Sequence, residues 1–187
     1  MTVKNRKANR SAHGSTIVEF AVVFTVLFTM IFGIIDFGRG VYAYHYVSNA
    51  AREASRFAAL RGTSSCKTPR TFPTDVDCPT QATDVTNYVY CSPSASNCPA
   101  PGLDHSGIYL NPAASNTAAG YLLVTTTWPG TTGNGVSSCV IGALGTVKDP
   151  GCVVIVAVQY NFGFSLPFVS QLGPLIIKST SKFVISQ

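Results

Sequence analysis

The sequence predicts an α+β protein. A single N-terminal transmembrane helix continues into a long amphipathic helix packed on a small antiparallel sheet, with disulfide-stapled loops. Three observations predict it. Phe20–Ile35 is a run of sixteen residues, apolar but for Thr25, Thr29 and Gly33. Val47, Ala50, Ala51, Ala54, Phe57 and Ala58 then recur at spacings of three and four, which makes one apolar helix face. Three β-branched segments and all six cysteines follow.

In chain order this gives a basic leader (1–14), a transmembrane helix (15–36), an amphipathic helix (37–61) and an extracytoplasmic α+β domain (62–187). The 187 residues hold one ordinary domain plus an anchor. Only 11% are charged, far below the usual quarter. The net charge of +5 is unevenly placed: residues 1–14 carry +4, residues 15–61 carry +1, and residues 62–187 balance five Lys/Arg against five Asp. The globular part is therefore neutral and lacks the basic footprint of a nucleic-acid binder.

From Ser15 to Ile35 there are twenty-one residues. At about 1.5 Å each they span roughly 30 Å, enough to cross a bilayer. Lys4, Arg6, Lys7 and Arg10 precede the span and only Arg39 follows closely, so the N-terminus is placed in the cytoplasm and the bulk of the chain outside. A cleaved signal peptide is the first alternative. Its h-region would be shorter, it would not begin at a glutamate, and Gly38-Arg39-Gly40 is a poor substitute for Ala-x-Ala. An uncleaved anchor is the second alternative.

Glu19 needs a physical reason, because an acid at the mouth of a membrane-grade helix is expensive. In one reading a peptidase cuts between Gly14 and Ser15. The new Ser15 amine, mostly cationic at neutral pH, then lies about one turn from Glu19, and pairing of the two within a helix bundle sets axial register. In the other reading Glu19 sits among headgroups, favoured only by the helix dipole. The residues alone leave both open.

Downstream, Gly62 is the expected C-cap of the amphipathic helix. Arg52, Glu53, Ser55 and Arg56 lie off its apolar stripe. Tyr42, Tyr44 and Tyr46 read as an interfacial aromatic belt, and the Gly38/Gly40 pair as a flexible point at the membrane exit. Residues 62–120 read as loop with one short helix over about 81–90, its apolar side being Ala82, Val85 and Val89. Strands are expected at Tyr121–Trp128, Val153–Phe162 and Leu175–Ile185, with a turn at Asp149-Pro150-Gly151. Cys66, Cys78, Cys91, Cys98, Cys139 and Cys152 form an even set beyond the apolar run, which favours disulfides in an oxidising compartment. The closest pair, Cys91 and Cys98, is too widely spaced for the usual zinc ligand pairs. Local pairing gives 139–152 across a hairpin, 91–98 and 66–78.

Gly14-Ser15-Thr16-Ile17-Val18-Glu19-Phe20 resembles the Gly-x4-Glu-Phe/Tyr processing site of type IVb prepilins. The continuation through Ile34-Ile35-Asp36-Phe37-Gly38-Arg39, Asn49-Ala50-Ala51-Arg52-Glu53-Ala54-Ser55-Arg56 and Phe57-Ala58-Ala59-Leu60 is similar to TadE-like proteins, the minor pilins (pseudopilins) of the tight-adherence Flp pilus system. Val153–Phe162 with the segment after it resembles that family's C-terminal hairpin more weakly. The resemblance implies a pilin-like fold and a prepilin peptidase cutting after Gly14, with Gly14, Ser15, Glu19 and Phe20 as the processing site. It also implies Ser15, Glu19 and Asp36 as assembly residues. The implied partners are other pilin or pseudopilin subunits and the membrane pilus-assembly platform, in a bacterial inner membrane or a surface pilus. The alternative function is an uncleaved, membrane-anchored adhesin or binding module.

No catalytic constellation is visible. The three histidines are His13, His45 and His105. Asp104-His105 lies in a Gly-flanked loop, where neighbouring residues cannot both reach triad positions. No Walker, dinucleotide or His-Glu-x-x-His motif occurs. No cofactor and no metal are expected, and no enzymatic activity.

Overall fold

The computed structural model describes residues 12–63, 80–91, 103, 107–111, 115–135, 137–140, 145–165, 169, 171 and 173–186. It contains two helices, α1 (Ala12–Ala59) and α2 (Ala82–Tyr90), and three strands, β1 (Leu122–Thr127), β2 (Val153–Phe162) and β3 (Leu175–Val184). The strands form one antiparallel sheet in the order β1-β2-β3. The α+β expectation holds.

α1 runs 48 residues without a break, about 72 Å at helical rise. The expected boundary after Asp36 is therefore not a break in secondary structure. The helix passes straight through Gly38 and Gly40. At Gly40 a Cβ would meet the Phe162 ring at 3.9 Å, an ordinary van der Waals distance.

The upper half of α1 lies on one face of the sheet. All six predicted stripe residues are buried. Opposite them the strand alternation points Leu122 and Val124 of β1, Val156, Val158 and Tyr160 of β2, and Ile177, Ser179 and Ser181 of β3 to the same face, as the register requires. Leu123, Thr125, Thr127, Lys178, Thr180 and Lys182 face away and are exposed. Each fully buried valine contributes about 1.5–3 kcal/mol. The alanines leave room for strand backbone to approach the helix.

Three side-chain expectations are corrected. Ser55, expected off the stripe, is fully buried. Its hydroxyl bonds the Arg52 carbonyl at 2.8 Å and sits 2.8 Å from the Ser181 hydroxyl. A small polar pair fits where larger side chains would push helix and strand apart, and each hydroxyl satisfies the other. Tyr46, expected in a surface belt, is buried with Ala43, Val47 and Ala50 on the sheet-facing side, whereas Tyr42 and Tyr44 are exposed. Consecutive even positions point in different directions on a helix, so three alternating tyrosines cannot share one surface. Ala82 is exposed, and only Val85 and Val89 of the predicted α2 face are buried.

The end of α1 also differs. Gly62 does not adopt the left-handed conformation of a C-cap glycine. The last turn tightens, with the Arg61 amide donating to the Ala58 carbonyl at 3.3 Å. The Arg61 guanidinium then covers the Phe57 ring, 3.8 Å from its centroid, and Phe57 stacks on Tyr88 of α2 at 4.2 Å. Burial lowers the Arg61 pKa from its ordinary value, with Tyr88 and Asp84 opposing that shift.

The Asp149-Pro150-Gly151 turn forms as expected. Pro150 supplies its fixed φ, Gly151 has φ +91°, and the Cys152 amide donates to the Asp149 carbonyl at 3.0 Å. Gly120 makes a second glycine-dependent turn: its φ is +82°, and a Cβ would meet the Tyr109 ring at 2.9 Å.

Cys139 and Cys152 form the expected disulfide, 13 residues apart, with their Cα atoms 5.1 Å apart. Cys91 is also disulfide-bonded. Cys66, Cys78 and Cys98 lie outside the described residues, as do most of the basic leader and the Asp104-His105 loop. The 139–152 bridge closes a short loop onto the start of β2. Replacing both cysteines by serine is expected to lower stability by about 3 kcal/mol through the freed loop entropy of the unfolded chain. Thermal unfolding of the double variant beside the oxidised parent measures it.

Candidate functional site

Two features distinguish the lower half of α1. The first is exposure. From Ile17 to Phe37 the large apolar residues are exposed on every side of the helix, and among the described residues this is the one helix long and apolar enough to cross a membrane. A single helix cannot keep that surface in water. Phe20, Phe24, Phe28 and Phe32 form a ridge at four-residue spacing, with centroids 5.7, 4.2 and 6.1 Å apart. The Thr25 and Thr29 hydroxyls are turned onto the Ala21 and Thr25 carbonyls at 2.7 and 2.8 Å, which removes their donors from the lipid-facing surface.

The second is the placement of acids. Gly14 and Ser15 lie in the first turn of α1. Glu19 is exposed, one turn above Ser15 and flanked by exposed Ile17, Val18, Phe20, Val22 and Val23. Neither of the two ion pairs among the described residues involves it. Asp36 is the opposite case: it is 5% exposed, although the next residue, Phe37, is 74% exposed. It stands about 25 Å along the axis from Glu19, so the structure does not bring these two predicted assembly residues together.

Asp36 instead joins helix to head. Its Oδ1 accepts from Arg39 Nη1 at 3.1 Å, and its two carboxylate oxygens accept the Ser165 amide at 3.2 and 3.0 Å. Arg39 Nη1 also donates to the Ser165 hydroxyl. A carboxylate this buried is kept only when fully hydrogen-bonded. Among the described residues, a backbone amide just beyond β2 and a cation a turn higher on α1 contribute to that bonding. The site thus fixes how the head sits on its stalk. Arg39 also lies over Phe162, 5.5 Å from the ring centroid. Burial pushes the Tyr160 phenol above its ordinary value, with Arg39 opposing that shift. The neutral hydroxyl donates to the Tyr109 carbonyl at 2.8 Å.

Sequence reasoning named Asp36 but missed Ser165 and Phe162. The spacing of Asp36 and Arg39 announces an ion pair on one helix face. Nothing local announces Ser165, 129 positions away.

Among the described residues no group of His, Cys, Asp or Glu is arranged to hold a metal ion.

A single apolar helix long enough to cross a membrane, continuing as the spine of a small helix-on-sheet head, suggests a membrane-anchored protein. The family model described as TadE-like protein matches residues 14–56, so this N-terminal stretch is similar to TadE-like proteins. The match begins at Gly14 and ends near the end of α1. The sheet, including the hairpin of β2 and β3, lies outside it. No curated protein and no solved structure matches the chain.

Proposed function

We propose that this protein is a minor pilin (pseudopilin) acting in assembly of a bacterial tight-adherence, type IVb pilus. A prepilin peptidase cuts it after Gly14. The mature subunit is held in the inner membrane by α1, with its head on the extracytoplasmic side, and it contacts other pilin subunits and the membrane assembly platform.

The observation that carries this reading is the coincidence of three things at one place. The family match starts at Gly14, a carboxylate with no ion-pair partner among the described residues follows one turn after Ser15, and the helix bearing it exposes apolar surface all round. In bilayer or bundle an unpaired Glu19 is penalised. A new amine at Ser15 supplies the missing charge, on the same subunit or a neighbour. Asp36 contributes from within the subunit: it fixes the head on the helix so that helix register becomes head position.

The test is the intact mass of the protein extracted from membranes of cells carrying the pilus system. The expected mass is that of a chain beginning at Ser15 with its disulfides formed. A chain beginning at Met1 rejects processing and leaves the uncleaved anchor. A chain beginning beyond Ile35 makes the apolar helix a signal peptide.

A further inference from the structure

We infer that the base of the head is a phospholipid-binding collar: a slot between α1 and the lower end of the sheet takes an acyl chain of the leaflet from which α1 emerges. This inference rests on the membrane-anchored reading of α1.

The slot has a volume of about 440 Å³, within the ~300–1,000 Å³ range of small-molecule sites. One wall is Gly33, Phe37 and Gly40 of α1, and the other is Phe162, Phe164 and Leu175. Asp36 reaches it too, but its carboxylate is turned onto Arg39 and the Ser165 amide.

Its position selects the occupant. Gly33 and Phe37 belong to the apolar span, so the lower mouth opens into the hydrocarbon layer. From Gly33 to Val41 the helix rises about 12 Å, which carries the upper end to headgroup level. Leu175 and Phe37, which line it, are exposed and extend the apolar surface of α1 to the mouth. At the upper end, over Phe162, stands the Arg39 guanidinium, with its side chain 46% exposed. A slot that is apolar below and edged above by a half-exposed guanidinium, already paired with Asp36 through one nitrogen, complements one fatty chain beneath a polar headgroup.

The experiment uses the full chain in vesicles of phosphatidylcholine with brominated acyl chains. The native Trp128 is replaced by phenylalanine, and a single tryptophan is placed by Phe164→Trp, with Leu175→Trp as a second reporter. Phe28→Trp, in the middle of the span, reports insertion itself. Bromine quenches a tryptophan it touches, so about twofold lower emission than in unbrominated vesicles is expected at all three positions. Adding Gly40→Leu fills the slot, and a Cβ there clashes with nothing. Quenching at position 164 should then fall to near zero with the melting temperature unchanged.

Quenching at 28 without quenching at 164 or 175 overturns the collar and leaves the anchor. No quenching at any position overturns both. Quenching at 164 that survives Gly40→Leu places lipid outside the slot, and this too overturns the inference. So does quenching at 164 that fades as the protein-to-lipid ratio rises, because a second copy then fills the slot.

Discussion

Glu19→Ala is expected to lower incorporation of the subunit into pilus assemblies by roughly tenfold, because tenfold corresponds to only about 1.4 kcal/mol, a fraction of the about 2.5–3.5 kcal/mol that a charge costs at the centre of a membrane helix, and Glu19 stands nearer its mouth. The loss runs through both partners. Alanine removes the carboxylate and leaves the Ser15 amine unpaired at the same depth. Insertion should not suffer, since alanine is cheaper than glutamate in hydrocarbon. Co-purification of the variant with its pilin partners, normalised to its amount in the membrane, is the measurement. Unchanged co-purification sinks the register argument. It would return Glu19 to the headgroup region, where it merely favours the N-terminal end of the helix dipole. Glu19→Gln separates charge from shape: it keeps the size and should behave like alanine.

Asp36→Ala is expected to lower the stability of the head by about 3 kcal/mol, since hydrogen bonds to a charged group contribute about 1.5–3 kcal/mol each and are not additive. The half-exposed Arg39 keeps its hydration when the acid is lost, so most of the cost falls on the Ser165 amide, which no longer has an acceptor. Two readouts belong together. Thermal unfolding in detergent should shift down, and hydrogen exchange at the Ser165 amide should quicken well before the amides of β2. Asp36→Asn keeps one acceptor oxygen and should lose about half as much. If Ser165 exchange is unchanged in Asp36→Ala, the carboxylate is not the clasp described here. The functional consequence is specific. The helix still anchors, but the head is no longer held at a fixed angle to it, so partner association falls while membrane retention stays.

Much of the fold was legible because its signals are local. The apolar run, the alanine-rich stripe and the alternation in β3 each depend on the periodicity of one element. The strands came out within a residue of their predicted ends for the same reason. The Cys139–Cys152 bridge was readable because its loop is short and carries its own Pro-Gly turn. What failed involved the facing partner. Ser55 looks like a surface residue until Ser181, 126 positions later, is set against it. Tyr46 looks like a belt residue until the helix phase is fixed by the sheet. Gly62 looks like a cap until the Arg61 side chain is seen lying over Phe57 instead.

By itself the sequence determined which part of this protein is greasy, where the acids interrupt it, and that Gly14, Ser15 and Glu19 fall within two helical turns. Those facts follow from composition and spacing along one helix. Only the tertiary structure decided that the two acids differ in kind. Glu19 is exposed on the apolar helix, while Asp36 is buried against the head. The reason is that burial and hydrogen bonding of a carboxylate depend on what the rest of the chain brings to it, and the Ser165 amide arrives from the far end of β2.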